Sequence, residues 1–224
     1  RSFEKLADHG RGETAEAGEP LAGSAPAFGQ WQSIRLNADG QAVWLPPGVR
    51  LDLGGIAKGY TAQQVADFLS DWGACLVDAS GDLTAGAAPD GWPGWPVAVS
   101  APFRRPDERR SELFPLWLVE GTMATSGIDY RRWQQNGRAA HHVIDPRSGR
   151  PAITDLLTVT VLAKTAVRAE AWATASLVAG TAVAQQRLTA LNLAAALIDD
   201  SGSISFTPAL EPFVALAVNE TPQG

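Results

Sequence analysis

The chain has 224 residues, a formal charge of −6 and a pI near 5.0. That length allows one large domain or two small ones with an ample core, and the acidity argues against a nucleic-acid partner, which selects for a basic face. No run of about eighteen apolar residues is present to cross a membrane, and the single cysteine, Cys75, excludes an internal disulfide or a cysteine-rich metal site.

In chain order, residues 1–6 read as the end of a helix or strand. Residues 8–30, rich in Gly, Ala, Glu and Pro, read as a long surface loop or a partly disordered segment. The start at Arg1, without methionine, signal peptide or lipidation motif, predicts a fragment or processed form. The runs 31–36 and 41–45 flank Asp39-Gly40 and predict a hairpin. Val49 to Leu53 alternates apolar and polar as a half-buried strand does. Gly54 and Gly55 then allow a sharp turn and close approach of a ligand, and a helix is expected from Thr61, with Ala62, Val65, Ala66, Leu69 and Trp72 on its apolar face and Gly73 as its stop. A glycine-rich turn at a helix N-terminus favours anions such as phosphate, and Lys58 adds a positive charge. The same residues also make a plain strand-to-helix connection. They are neither a Walker loop nor the dinucleotide-binding fingerprint.

Strands are expected at 74–78, 97–100 and 113–119, with Cys75 a buried structural thiol, a Gly/Pro/Trp loop at 86–96 and a solvated charged loop at 104–110. Ser80-Gly81-Asp82 resembles an active-site edge as readily as an ordinary turn. A turn is expected at Asn136-Gly137. His141 and His142 follow, and on a strand adjacent side chains face opposite ways, so at most one serves a given site. A structural role is open for both, and His9 has no evident role. Residues 156–163 predict a strand, 168–179 and 182–191 helices, 194–199 a buried strand and 204–206 a last one. Glu170 and Thr174, four apart on an otherwise apolar helix, share a face and form a possible hard-cation pair; a half-exposed glutamate beside a back-bonding threonine is the plain alternative.

Taken together and in order, LDLGGIAKGY, SGDLTAG, TMATSG, HHVIDPRSG and AEAWATA resemble the ApbE family of FAD:protein FMN transferases from about Trp31 to Phe206. The resemblance implies an α+β fold with mixed and antiparallel sheets, of which the N-terminal part is missing here. Residues 1–30 are then a loop-rich remnant and residues 31–224 the transferase domain. It further implies Mg²⁺ and FAD, with FMN moved to a threonine or serine of an acceptor protein and AMP released. Carried over by position, Gly54, Gly55, Lys58 and Gly59 would wall the diphosphate and metal site. Ser80, Gly81, Asp82, Thr125, Ser126, Gly127 and Asp145 would bind the flavin nucleotide. The Ala57 carbonyl, Glu170 and Thr174 would be metal ligands, and His142 the catalytic base.

Two residues depart from the family pattern: Glu170 stands where aspartate is usual, and Ile128 is interposed after Thr125-Ser126-Gly127. The chain has no Ser/Thr-Gly-Ala-Ser/Thr stretch of its own, as expected of enzyme rather than acceptor. An FAD diphosphatase with water as nucleophile and an FAD-binding protein with weakened catalysis are the competing readings. Family members are often exported and lipid-anchored, which leaves the compartment of this chain open.

Overall fold

A computed structural model describes residues 30–102, 111–135 and 138–215. The expectations for residues 1–6, 8–29, 104–110 and Asn136-Gly137 fall outside the described residues. The described residues fall into two compact units, one of residues 30–50 with 146–149, the other of those within 51–145 and 150–215.

In the first unit, β1 (Arg35–Asn37) and β2 (Ala42–Trp44) form the expected hairpin, though shorter. Its turn is fixed by the Asn37 side chain, which accepts the Gly40 N–H at 2.8 Å, and the Arg35 guanidinium lies 5.4 Å over the Trp44 ring.

The second unit begins with a correction. No strand forms over 49–53: Leu51 and Leu53 are about half exposed, and none of the described strands pairs with them. Alternation over five residues makes a strand only where a partner takes the backbone groups. The chain instead turns at Gly54-Gly55, where the Ile56 and Ala57 N–H groups both donate to the Leu53 carbonyl. Helix α1 (Ala57–Leu69) therefore starts four residues before the expected Thr61, with Lys58 in its first turn. It buries only Gly59, Ala62 and Ala66, leaving Val65, Leu69 and Trp72 exposed.

Strands β3 (Leu76–Ala79) and β4 (Asp82–Ala85) form a tight hairpin. Its two turn residues, Ser80 and Gly81, both have positive φ, as the twist of such a hairpin requires. Cys75, just before β3, is partly exposed, with its Sγ 3.4 Å from the Ala66 carbonyl. Next come β5 (Trp95–Ser100), β6 (Glu112–Leu118), β7 (Gly121–Gly127), β8 (Arg132–Gln135), β9 (Arg138–His141), β10 (Ile144–Asp145), β11 (Arg150–Pro151) and β12 (Leu156–Ala163). Helices α2 (Ala166–Ala179) and α3 (Thr181–Ala190) and strands β13 (Ala194–Asp199) and β14 (Ile204–Phe206) follow.

The main sheet runs β14-β13-β12-β7-β4-β3 with every neighbouring pair antiparallel. On one face Val159, Val161, Ala195 and Leu197 pack against Ala173 and Leu177 of α2 and Ala184 and Leu188 of α3. On the other, Met123, Leu162, Ala196 and Ile198 meet Val97, Val99, Leu116 and Leu118 of the β5–β6 ribbon. The sheet is thus covered on both faces, which explains why β12 and β13 are apolar along nearly their whole length. The interposed Ile128 is absorbed by this packing: it is buried among Val143, Leu156 and Leu177.

Helix α3 lacks a capping side chain of its own at Gly180, whose φ is +79°. Asp155 supplies the cap from outside the helix, accepting the Thr181 N–H at 2.9 Å, and this bond holds its carboxyl below the usual range. Asp155→Ala is expected to cost about 1 kcal/mol in urea unfolding. Because the folded-state value is depressed, the contribution is present above the unfolded pKa and is lost as pH falls through the folded one.

Candidate functional site

The C-terminal end of β7, the β3–β4 turn, the start of α1 and the first half of α2 open onto a cavity of about 680 Å³, a size suited to a nucleotide-like ligand. Gly54, Gly55, Lys58, Ser80, Gly81, Asp82, Thr125, Ser126, Gly127, His142, Glu170 and Thr174 all line it. Ala57, Gly59 and Asp145, also singled out by sequence, do not.

Asp82 ties three of the motif stretches together. It is buried at the first position of β4, and its Oδ2 pairs with Lys58 Nζ from α1. Its Oδ1 accepts the Thr125 N–H at 3.2 Å. Backbone pairing between β4 and β7 stops at Leu83 and Met123, so the carboxylate continues the ladder where the strand has ended. On the other side of β7, Thr125 Oγ1 meets Thr160 Oγ1 at 2.9 Å and Ser126 Oγ meets Thr174 Oγ1 at 2.7 Å. These hydroxyls fix the strand against both β12 and α2.

Glu170 is buried on α2, and its Oε1 accepts the N–H of Gly59, the third residue of α1, at 3.3 Å. A carboxylate at this point satisfies one of the donors that a helix start leaves open and meets the positive end of its dipole. The fit is close, since a Cβ at Gly59 would lie 2.8 Å from Oε2 and 3.1 Å from the Ala166 Cβ. Oε2 itself is buried without a hydrogen-bond partner. Burial, and secondarily the charge of Asp82, raise the Glu170 pKa.

An orphaned, buried carboxylate oxygen facing a second carboxylate is a place that a hard cation would satisfy. The oxygen set of Glu170, the Thr174 hydroxyl and the Ala57 carbonyl fits Mg²⁺ chemically. The Ala57 carbonyl already accepts the Thr61 hydroxyl at 2.8 Å besides the N–H of its own helical turn, so it could serve a cation only in place of one of these, and Thr174 is shared with Ser126.

His142 faces the cavity while His141 turns away, with Nε2 3.0 Å from the Ala152 carbonyl. Partial desolvation, with the neighbouring Arg131 charge second, lowers the His142 pKa below 6.5 and keeps the ring neutral at pH 7. An NMR titration of the ring should show its midpoint below 6.5, and Arg131→Ala should move it upward. Lowering the pH through that midpoint protonates the ring and removes its ability to accept a proton.

The sequence reading does not single out Asp52, Asp78 or Arg131, which also line the cavity. A signal existed for the two aspartates. Each precedes a glycine by two or three residues and accepts its N–H, Gly54 to Asp52 at 2.8 Å and Gly81 to Asp78 at 2.7 Å, as Asx turns do.

The family model described as the ApbE family matches residues 7–198. A FAD:protein FMN transferase of Escherichia coli K12 is 31% identical over 179 residues, 78% of this chain and 49% of that protein. One from Haemophilus influenzae is 36% identical over 165 residues, 71% of this chain and 46% of that protein. Among solved structures, the ApbE protein of Thermotoga maritima has a TM-score of 0.71 at 26% identity, covering 83% of this chain and 60% of that one. The apo form of the Pseudomonas stutzeri flavinyl transferase ApbE has a TM-score of 0.68 at 27% identity, covering 84% and 58%. The chain spans less than half the length of the relatives it matches by sequence.

Proposed function

Since the chain belongs to the ApbE family, we propose that it carries the FMN-transfer site of an FAD:protein FMN transferase, within residues 31–224. The observation that supports this best is the cavity itself, where five stretches far apart in sequence meet around Lys58, Asp82, His142, Glu170 and Thr174.

The reaction breaks the P–O–P bridge of FAD. A threonine or serine hydroxyl of the acceptor protein attacks the FMN phosphorus, a phosphoester bond forms, and AMP leaves with the bridging oxygen. His142, neutral at pH 7, accepts the hydroxyl proton at a ring nitrogen. Lys58, held by Asp82, places its ammonium beside the diphosphate oxygens. Thr125, Ser126 and Gly127 orient the flavin nucleotide along a strand fixed on both sides. Glu170 and Thr174, with the Ala57 carbonyl, would hold Mg²⁺, which when bound neutralises charge developing on the diphosphate.

Incubating the protein with FAD, Mg²⁺ and an acceptor protein tests the reading by in-gel flavin fluorescence and AMP release. A fluorescent acceptor with stoichiometric AMP supports it. Free FMN and AMP with an unlabelled acceptor would make the protein a diphosphatase, and intact FAD would leave a binding protein.

A further inference from the structure

Neither of the two helices that open onto the cavity caps its own start. Ile56, before α1, makes no side-chain bond to that helix, and neither does Thr165 before α2. Each helix is capped by the other instead. Glu170 of α2 accepts the Gly59 N–H at 3.3 Å, and Gln63 of α1 accepts the Ala166 N–H with its Oε1 at 2.9 Å. Gly59 and Gln63 lie one turn apart on α1, as do Ala166 and Glu170 on α2, so the two bonds cross one helix pair in opposite directions. Gln63 is partly buried and does not line the cavity. Ala166 is fully buried, so without Gln63 its N–H would lose its partner with no water to replace it. The faces in contact are otherwise made of small residues, Gly59, Ala62 and Ala66 on α1 and Ala166, Ala169 and Ala173 on α2. Contact between such smooth faces is non-directional, whereas a hydrogen bond fixes distance and angle. The two bonds therefore set how far along α1 the helix α2 sits.

We infer that Gln63 is a positioning residue for the transfer site: by capping α2 from α1 it places Glu170, and with it Oε2, against the Ala57–Lys58 turn. The inference rests on the transfer reading above for what Oε2 holds, while the placement of Glu170 rests on contacts within the chain. If Gln63 releases Ala166, α2 is free to slide along α1, and Glu170 loses Gly59. A slide of about 1 Å is large for a Mg²⁺ site, which demands near-ideal ligand distances.

Two variants of similar side-chain length separate the acceptor from the bulk: Gln63→Met removes it and Gln63→Glu keeps it. Asp155→Ala, which strips a cap from α3 at the opposite end of α2, controls for a general loss of stability. The first readout needs no ligand. The Gly59 N–H lies in the first turn of α1, where the helix itself offers no acceptor, and Glu170 protects it. Its hydrogen exchange, followed by NMR, should be about tenfold faster in Gln63→Met and unchanged in Gln63→Glu and Asp155→Ala. The second readout is the binding of Mn²⁺, in place of Mg²⁺ and without FAD, counted by the electron paramagnetic resonance of the free ion. Gln63→Met should bind it about 10- to 100-fold more weakly than the wild type, the scale for a group that holds a ligand in place, with the other two variants unaffected. Unchanged Gly59 exchange in Gln63→Met overturns the proposal, and so does undiminished Mn²⁺ affinity in that variant. Equal changes in Gln63→Glu or Asp155→Ala overturn it too, since the acceptor would then not be what counts. Faster Gly59 exchange in Gln63→Met alone, with no Mn²⁺ uptake by any of the four proteins, upholds the placement of Glu170 by Gln63 and counts against the cation in the transfer reading.

Discussion

His142→Ala should lower the rate of flavin transfer by about 10²–10⁴-fold, the range that a positioned general base supplies. Folding should be nearly unaffected, because His142 is exposed and its neighbours Val143 and Ala152, which it does not cover, carry the packing. The affinity for FAD should hold within a few-fold, so the loss appears in single-turnover rates and not in binding. Added imidazole, which fits the vacated space beside the cavity, should restore part of the rate, with a pH dependence set by imidazole in place of the lowered value of His142. Near wild-type turnover by His142→Ala would remove the histidine from the reaction.

The second large effect is expected at a position with no reactive group. Gly59→Ala replaces a helical glycine whose φ is not in the left-handed region, a change that ordinarily stabilises a helix by nearly 1 kcal/mol. Here the new methyl would stand 2.8 Å from Glu170 Oε2, 2.9 Å from its Cδ and 3.1 Å from the Ala166 Cβ. Either the carboxylate leaves its place or α1 moves off α2, and such overpacking costs about 1–3 kcal/mol. Transfer activity should fall about 100-fold, on the scale of losing a metal-holding carboxylate from its position. Combining Gly59→Ala with Glu170→Asp shortens the opposing side chain by one methylene and should recover a large part of both losses. Glu170→Asp alone should keep or raise activity if the carboxylate holds the cation. A double variant no better than Gly59→Ala would show that the helix contact with Ala166, and not the carboxylate, sets the size limit.

The fit between Gly59 and Glu170 also marks how far sequence reasoning reaches. The two residues are 111 positions apart, and Lys58 and Asp82 are 24 apart, so neither pairing leaves a local pattern. Glu170 reads from sequence as a longer substitute for aspartate; the structure adds that it caps α1 and that a glycine makes room for it. What was legible follows from burial and alternation. Strands β12, β13 and β14 fall where the apolar, β-branched runs put them, and of the two adjacent histidines only His142 lines the cavity, although it lies at a bend just past β9. Strand β7 was not legible, because Thr122 to Gly127 is small and polar and owes its conformation to pairing with β4 and β12. Residues 49–53 show the converse, with the right alternation and no partner.

The position of β7 in the middle of the sheet has a kinetic consequence. Its residues are paired to β12 along nearly the whole strand, and Asp82 holds the far side where β4 ends. Opening this wall requires unzipping the centre of the sheet, so the amides of β7 are expected to exchange with deuterated solvent only at rates near those of global unfolding. The β10–β11 ribbon that follows His142 is held by two rungs and should exchange orders of magnitude faster. A ligand of the cavity is therefore expected to enter and leave past the yielding side, against a wall that stays fixed.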